Sequence, residues 1–291
     1  MDASAELLRL SDDERIRQVL TEKFICYPRA QEILDHIEFL ALHPPQTRVW
    51  GLGIVAPPGA GKTVLARAIA RRLARAEEAS QKKRRTMPVV SISMTGAREA
   101  RTIDARILEA LGSPSNYDML RRPADRELLV MRLVREARTK VLIVDEIQDV
   151  LTSTERQQRR ALDHIKLIMN TACIPVVALG IPGAMQAMQV DAHLAARFDW
   201  KTLPTWKCDD DTRDLLNALE STLPLRQASN LASHEKTRLL VSKSDGVLAK
   251  LVRIVNNAAV FAITEKKERI TEALLERATV SVPSIQPLEE V

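Results

Sequence analysis

The clearest indication of the fold of this 291-residue chain is Val55–Arg72, VAPPGAGKTVLARAIARR. A short apolar run leads into it, Gly61-Lys62-Thr63 ends its loop, and a helical pattern follows. Ala56 stands where the phosphate-loop pattern G-x-x-x-x-G-K-[ST] has its first glycine. That glycine eases a tight turn and supplies no phosphate donor, so alanine is acceptable if its φ is negative. Strand, loop and helix in this order predict a nucleotide site.

The loop brings several phosphate-binding groups together. Backbone N–H groups from Gly59 to Thr63, the Lys62 ammonium and the start of the next helix would hold phosphates, and the Thr63 hydroxyl is placed to bind Mg²⁺. The predicted nucleotide-binding residues are Ala56, Pro57, Pro58, Gly59, Ala60, Gly61, Lys62, Thr63 and Val64.

A second motif, Val141-Leu142-Ile143-Val144-Asp145-Glu146, is a buried strand pattern that ends in two carboxylates. In parallel α/β sheets ligands bind at the carboxyl edge. Asp145 is therefore predicted to hold Mg²⁺, directly or through water, and Glu146 to polarise the attacking water. The alternative is an ordinary strand end followed by an acidic helix turn.

Strand and helix patterns alternate along the first two thirds of the chain, which predicts an α/β fold with a parallel sheet covered on both faces. A capping box at Ser11 and Glu14 predicts a first helix, and a second follows Pro28. From 209 onward only helical patterns remain. We expect an N-terminal helical segment over 1–45, a nucleotide-binding core over 46–207, a small helical domain over 208–281 and a loose tail over 282–291. The predicted strands are 49–56, 89–94, 141–144 and 175–179.

Charge is unevenly distributed. The net charge is +5, but residues 62–106 contain twelve Lys or Arg and only four Asp or Glu. Such a region can bind a polyanion by releasing counterions, or it can be a solvated helix face.

The remaining composition indicates a cytoplasmic protein. No signal-peptide pattern and no long apolar stretch is present, so no membrane partner is expected. Cys26, Cys173 and Cys208 are far apart and odd in number, which favours reduced thiols of the core over disulfides or a zinc site.

Arg197 follows the fourth predicted strand, in Leu194-Ala195-Ala196-Arg197-Phe198. Its guanidinium could reach the γ-phosphate of a neighbouring subunit and stabilise charge in the transition state. A surface salt bridge is the alternative, and the spacing does not decide between them.

The chain resembles an AAA+ ATPase of the initiator-like branch with a helical lid. The features that carry this resemblance are Ala56–Thr63, the Asp145-Glu146 pair, Ala196-Arg197-Phe198 and the C-terminal helical pattern. Tyr27-Pro28-Arg29-Ala30 and the segment Leu223–Leu231, LPLRQASNL, are similar to TniB and TnsC, the target-selection ATPases of transposons, and most like TniB. The likeness extends over about residues 10–280.

This resemblance implies an ATPase that uses ATP and Mg²⁺ and forms an oligomer or filament on duplex DNA without sequence specificity. It further implies recruitment of a DDE transposase and contact with a TniQ-like targeting protein. Arg197 matches the arginine finger, and Lys250 falls where family members often have a lid arginine facing the nucleotide. Ile181 stands where the family usually has a polar residue that senses the γ-phosphate, which argues against brisk hydrolysis.

Duplex binding in this family uses loops of the α/β core. The candidates here are Arg98 and Arg101, followed by Arg121 and Arg122; the alternative is arginines on solvated turns. Three other functions stay open: a nucleotide-gated DNA scaffold with negligible hydrolysis, a helicase-loader-like or initiator-like ATPase, and a signalling ATPase that does not bind DNA.

Overall fold

The computed structural model describes residues 8–44, 48–79, 86–97, 99–113 and 122–283. Its centre is a five-stranded, all-parallel sheet with the strand order β2-β3-β4-β1-β5. The strands are β1 (Gly51–Val55), β2 (Val89–Ser93), β3 (Val141–Asp145), β4 (Val176–Gly180) and β5 (Phe198–Thr202). This confirms the predicted α/β class with a parallel sheet flanked by helices.

The sheet belongs to the α/β unit, residues 29–57 and 62–203. The helices of this unit precede β1 or connect successive strands, as crossover connections between parallel strands require. They are α2 (Pro28–Leu42), α3 (Lys62–Ala79), α4 (Ala100–Ala110), α5 (Pro123–Glu136), a 3-10 helix (Ile147–Thr152), α6 (Glu155–Ala172), α7 (Gly183–Gln189) and α8 (Ala192–Ala195). Thr154 and Gln157 form a capping box that starts α6.

Burial explains which strands the sequence revealed. β1 and β4 are buried at every position, so their sequences are continuous apolar runs. β5 was not predicted from the sequence. It lies at the edge of the sheet, its sequence is FDWKT, and only Phe198 of it is buried. A polar, half-exposed edge strand gives no apolar run to detect.

The second compact unit consists of residues 1–28, 58–61 and 204–291, in its described part. It contains α1 (Asp12–Leu20), α9 (Asp210–Glu220), α10 (His234–Ser244), α11 (Leu248–Thr264) and α12 (Glu272–Val280). The sequence grouped the first two helices in one segment over 1–45. In the structure α1 packs on α11 in the helical unit, whereas α2 belongs almost entirely to the α/β unit.

Arg15 joins α1 to the C-terminal helices. Its side chain is fully buried and donates to the carbonyl oxygen of Pro224 at 2.9 and 2.7 Å. It also pairs with the Glu268 carboxylate, from Nη1 to Oε1 at 3.0 Å and from Nη2 to Oε2. The segment Leu223–Leu231 is thereby tied to the first helix of the chain.

The structure bears on two predictions from the sequence, one about the cysteines and one about membrane-spanning segments. The cysteines are free, but Cys26 and Cys208 are exposed and Cys173 is only partly buried, so the prediction of core thiols was wrong. These residues lie in or beside connecting segments, which the apolar pattern could not reveal. None of the helices in the described ranges is both long enough and apolar enough to cross a bilayer.

Candidate functional site

The phosphate loop follows β1 directly, and Ala56 continues the strand instead of turning. Its N–H donates to the carbonyl oxygen of Gly180 at 3.0 Å, its side chain is buried, and its φ is not positive. The condition under which alanine is acceptable at this position is met. The turn is made later, at Gly59 with φ +78° and Gly61 with φ +91°, values that side chains with a Cβ rarely adopt.

Lys62 begins α3 and is 7% exposed. Its Nζ donates to the carbonyl oxygens of Ala56 at 3.0 Å and Pro57 at 3.4 Å. The ammonium is thus held at the base of the loop by two neutral acceptors. A phosphate oxygen would be a stronger partner because a charge-assisted hydrogen bond is stronger than one to a neutral carbonyl.

Thr63 and Asp145 meet although 82 positions separate them. The Thr63 hydroxyl donates to Asp145 Oδ2 at 3.2 Å. Burial raises the pKa of the Asp145 carboxyl above its usual value, and the nearby Glu146 carboxylate acts in the same direction. Hydrogen bonds from the Glu146 N–H and from Thr63 oppose this shift.

The Thr63 and Asp145 oxygens fit Mg²⁺. Magnesium is usually bound by one or two carboxylates together with substrate phosphates and waters, and not by an all-protein cage. No group of three or more His, Cys, Asp or Glu that could hold a metal ion occurs among the residues that the structure describes. One carboxylate and one hydroxyl beside a phosphate loop match this type of site.

Glu146 follows β3 in a left-handed conformation, with φ +54°. Its N–H donates to the Asp145 Oδ1 at 2.9 Å, directly after the end of the strand. The Glu146 carboxylate accepts a hydrogen bond from the side-chain amide of Gln148. Sequence reasoning did not select Gln148, because only the turn of the 3-10 helix brings its side chain back to Glu146.

Ile181 follows β4 and is partly buried. Its backbone N–H donates to Gln148 Oε1 at 3.2 Å. The Ile181 side chain is apolar, so the polar contact of this residue is made by its main chain.

Arg197 lies at the amino end of β5, whereas Asp145 lies at the carboxyl end of β3. Arg197 directly precedes β5, and its carbonyl oxygen accepts from the N–H of Gly51, the first residue of β1. The guanidinium donates to Asn170 Oδ1 at 2.6 Å. Within the described ranges no ion pair of Arg197 is found, so the surface salt bridge considered from the sequence is not observed there.

The loop residues Pro58–Gly61 cluster with the helical unit. The carbonyl oxygen of Gly59 accepts from the N–H of Ala249 at 2.9 Å, in the first turn of α11, where Val247 provides no side-chain cap. The next residue, Lys250, pairs with Asp245 at 2.6 Å. Its contact with a nucleotide stays a prediction.

The DNA-binding candidates are only partly described. Arg101 is exposed in the first turn of α4, and Arg122 is the exposed residue before α5. Arg98 and Arg121, like the basic run at 82–85, lie outside the described residues.

Comparison with known proteins gives a family and a fold. The family model described as "Bacterial TniB protein" matches residues 15–208. Comparison with curated protein sequences finds no match.

Several solved structures are similar. The Aeropyrum pernix ORC2 protein, in ADPNP and ADP complexes, has a TM-score of 0.65 at 19% identity, over 93% of this chain and 73% of that chain. The A. pernix ORC1 protein in complex with DNA has a TM-score of 0.62 at 13% identity, over 90% and 68%. The Thermotoga maritima RuvB Holliday junction branch migration motor has a TM-score of 0.53 at 16% identity, over 94% and 72%. At these identities the likeness shows the fold, which is that of AAA+ P-loop proteins.

Proposed function

The chain belongs to the TniB family, and we propose that it is an ATP-dependent regulator of transposition. In this proposal ATP binding drives its assembly on duplex DNA, the assembly recruits a DDE transposase, and hydrolysis of ATP to ADP and phosphate ends the assembled state. A TniQ-like targeting protein is a further proposed partner.

One observation carries the nucleotide part of the proposal: Lys62, Thr63, Asp145 and Glu146 come together at the carboxyl edge of the sheet, the edge at which α/β folds bind ligands. Bound Mg²⁺ would neutralise phosphate charge. Thr63 and Asp145 would hold that ion, and Lys62 would leave the Ala56 and Pro57 carbonyls for phosphate oxygens.

Glu146 would act as the general base. The oxygen of a water molecule attacks the γ-phosphorus, the bond from that phosphorus to the β–γ bridging oxygen breaks, and the water proton passes to the Glu146 carboxylate. Arg197 would stabilise charge at the γ-phosphate of a neighbouring subunit, because it lies at the edge of the sheet away from its own Asp145.

The DNA part rests on charge and on family membership. The net charge of +5 and the basic surplus over 62–106 suit phosphate contacts that do not read sequence. The A. pernix ORC1 neighbour was solved in complex with DNA, which supports the same use of this fold. Arg101 and Arg122 are the proposed contacts in the described part, with Arg98 and Arg121 beside them in sequence.

A nucleotide-gated scaffold is a second candidate, favoured by one observation. Ile181 brings no polar side chain to the end of β4, so a polar side-chain contact to the γ-phosphate is missing there. Such a protein would bind ATP and assemble but hydrolyse ATP negligibly.

Sedimentation with duplex DNA tests the proposal. The chain is compared without nucleotide, with ADP and with a slowly hydrolysed ATP analogue, and Lys62→Ala serves as the control. We expect assembly only with the analogue, and loss of assembly in Lys62→Ala. Equal sedimentation in every condition would refute nucleotide-controlled assembly.

Turnover separates the two candidates. Phosphate release that falls in Glu146→Gln supports the ATPase, and assembly without any phosphate release supports the scaffold.

Unchanged duplex affinity after Arg101→Ala and Arg122→Ala would remove these two residues from the DNA contact.

A further inference from the structure

The side-chain amide of Gln148 has no role in the site as derived so far, yet it joins two parts of it. Its Nε2 donates to Glu146 Oε2 and its Oε1 accepts from the N–H of Ile181 at 3.2 Å. These partners come from two different strands, since Glu146 follows β3 and Ile181 follows β4. Both polar ends of one amide are therefore used, in opposite directions.

The backbone around Gln148 is arranged to make this contact. Glu146 adopts a left-handed φ of +54°, which is unfavourable for a residue with a Cβ. The Glu146 N–H is bound by Asp145 Oδ1 at 2.9 Å, and the Glu146 carbonyl oxygen accepts from the N–H of Asp149 at 3.0 Å. The chain is thus fixed on both sides of Glu146, and the Gln148 amide fixes its carboxylate.

The end of β4 leaves room for the amide. A Cβ added at Gly180 would lie 2.5 Å from Gln148 Oε1 and 2.6 Å from the Ala184 Cβ. Any side chain at this position would collide with the Gln148 amide. The glycine is therefore needed for the close approach of the Gln148 side chain to the strand.

We propose that Gln148 is a positioning residue: its amide orients the Glu146 carboxylate and ties it to the end of β4 through the Ile181 N–H. Ile181 has no polar side chain, so this tie runs through its main chain. The amide occupies one carboxylate oxygen and leaves the other for the attacking water. This inference rests on the proposed ATPase function and goes beyond it.

Two substitutions separate the parts of the contact. Gln148→Met keeps the length of the side chain and removes both polar contacts. Gln148→Glu keeps an acceptor for the Ile181 N–H but replaces the donor to Glu146 with a second carboxylate. Gln158→Met is the matched control, because Gln158 donates to the carbonyl oxygens of Leu151 and Ser153 and does not contact Glu146.

Steady-state ATP hydrolysis is measured for each variant, together with the Kd for a slowly hydrolysed ATP analogue. In Gln148→Met and in Gln148→Glu we expect kcat to fall about tenfold or more, as part of the roughly 100-fold or larger contribution of a general base. In Gln148→Met the KM for ATP and the analogue Kd should stay within about twofold of wild type, because only the orientation of the base is lost. Gln158→Met should retain the wild-type kcat.

The same substitutions in the Glu146→Gln background test whether Gln148 acts through Glu146. Residues that act as a unit are not additive. We therefore expect Gln148→Met to cause no further loss of kcat in that background.

Each remaining outcome is decisive. The role of Gln148 would be overturned if Gln148→Met kept the wild-type kcat. It would also be overturned if Gln148→Met lowered kcat by the same factor in the Glu146→Gln background as in the wild type, or if it weakened analogue binding without lowering kcat. Turnover that depends on Glu146 but not on Gln148 refutes this inference alone. Absence of Glu146-dependent turnover in the wild-type chain refutes the proposed hydrolysis, and the positioning role with it.

Discussion

Mixing two inactive variants tests which subunit Arg197 serves. Arg197→Ala removes the guanidinium, and Glu146→Gln removes the proposed base. In an oligomer with head-to-tail interfaces, each site would combine Glu146 of one subunit with Arg197 of its neighbour. The two variants should be inactive separately and should restore activity when they assemble together.

The sheet supplies the geometric reason. Along the strands Asp145 is level with Lys201, four residues from Arg197, which is about 13 Å at 3.3 Å per residue. Across the sheet β4 and β1 separate β3 from β5, and three strand spacings add about 14 Å. The two positions are thus about 20 Å apart in one chain, farther than an arginine side chain reaches.

The expected activity follows from random assembly. In an equal mixture half of the subunits retain Glu146, and half of their neighbours retain Arg197. About one site in four is then complete, so the mixture should reach about a quarter of wild-type turnover. Removal of an arginine finger costs about 10³-fold to 10⁵-fold in kcat, so the separate variants give a low background.

Phosphate release on duplex DNA is the assay, after the two variants are mixed before assembly. A mixture no more active than the mean of the separate variants would refute action between subunits. If Arg197→Ala alone kept wild-type turnover, the arginine-finger role itself would be refuted.

Three further predictions concern the loop, the metal residues and the helical unit. Burial raises the pKa of Asp145, so this carboxyl becomes protonated at a higher pH than an ordinary carboxyl does. The affinity for Mg²⁺ and ATP should therefore fall as the pH is lowered. Titration calorimetry measures this pH dependence, which Asp145→Asn should lose. Gly59→Ala should weaken ATP-analogue binding and destabilise the helical unit by about 1–3 kcal/mol. The reason is that the φ of Gly59 is +78° and the new Cβ would lie 2.9 Å from Val247 Cγ1. An unchanged Kd and melting temperature would contradict this prediction. Arg15→Leu should reduce the free energy of unfolding by about 3–5 kcal/mol because it leaves Glu268 without its partner, and urea titration with hydrogen exchange of α1 measures the loss. The Arg15 hydrogen bond lowers the pKa of Glu268, so this stabilisation is present above the usual glutamate pKa and is lost as the pH falls through the lowered value.

Local sequence patterns predicted most of the fold. The helix Lys62–Ala79 and the capping box at Ser11 depend on neighbouring residues, so spacing alone located them. The strands β1 and β4, which are buried at every position, and β3, which is buried from Val141 to Val144, were recognisable for the same reason. The edge strand β5 was not, because solvent covers part of it and its sequence alternates apolar with charged residues.

Contacts over long sequence separation could not be predicted in the same way. Arg15 and Glu268 are 253 positions apart, and no local pattern pairs a helical arginine with a glutamate in a later turn. Gln148 lies close to Glu146 in sequence, but its contact depends on the left-handed φ of Glu146 and the 3-10 helix that follows. Residue types identified the phosphate loop and the carboxylates, whereas the hydrogen bonds that orient them required the three-dimensional structure.

Ala56 shows how a departure from a motif can be accommodated by the strand that precedes the loop. The first glycine of the phosphate-loop pattern matters only where the chain must turn at that position. Here the N–H of Ala56 still bonds to Gly180 of the neighbouring strand, so β1 in effect extends one residue further and the turn falls on Gly59 and Gly61. The φ of Ala56 is not positive, so alanine is accommodated there without the strain of a positive φ. Alanine also restricts the unfolded chain more than glycine does, which favours the folded state by about 0.4–1 kcal/mol. The substitution therefore lies in the part of the motif that shapes the strand, and it spares the part that would hold phosphate.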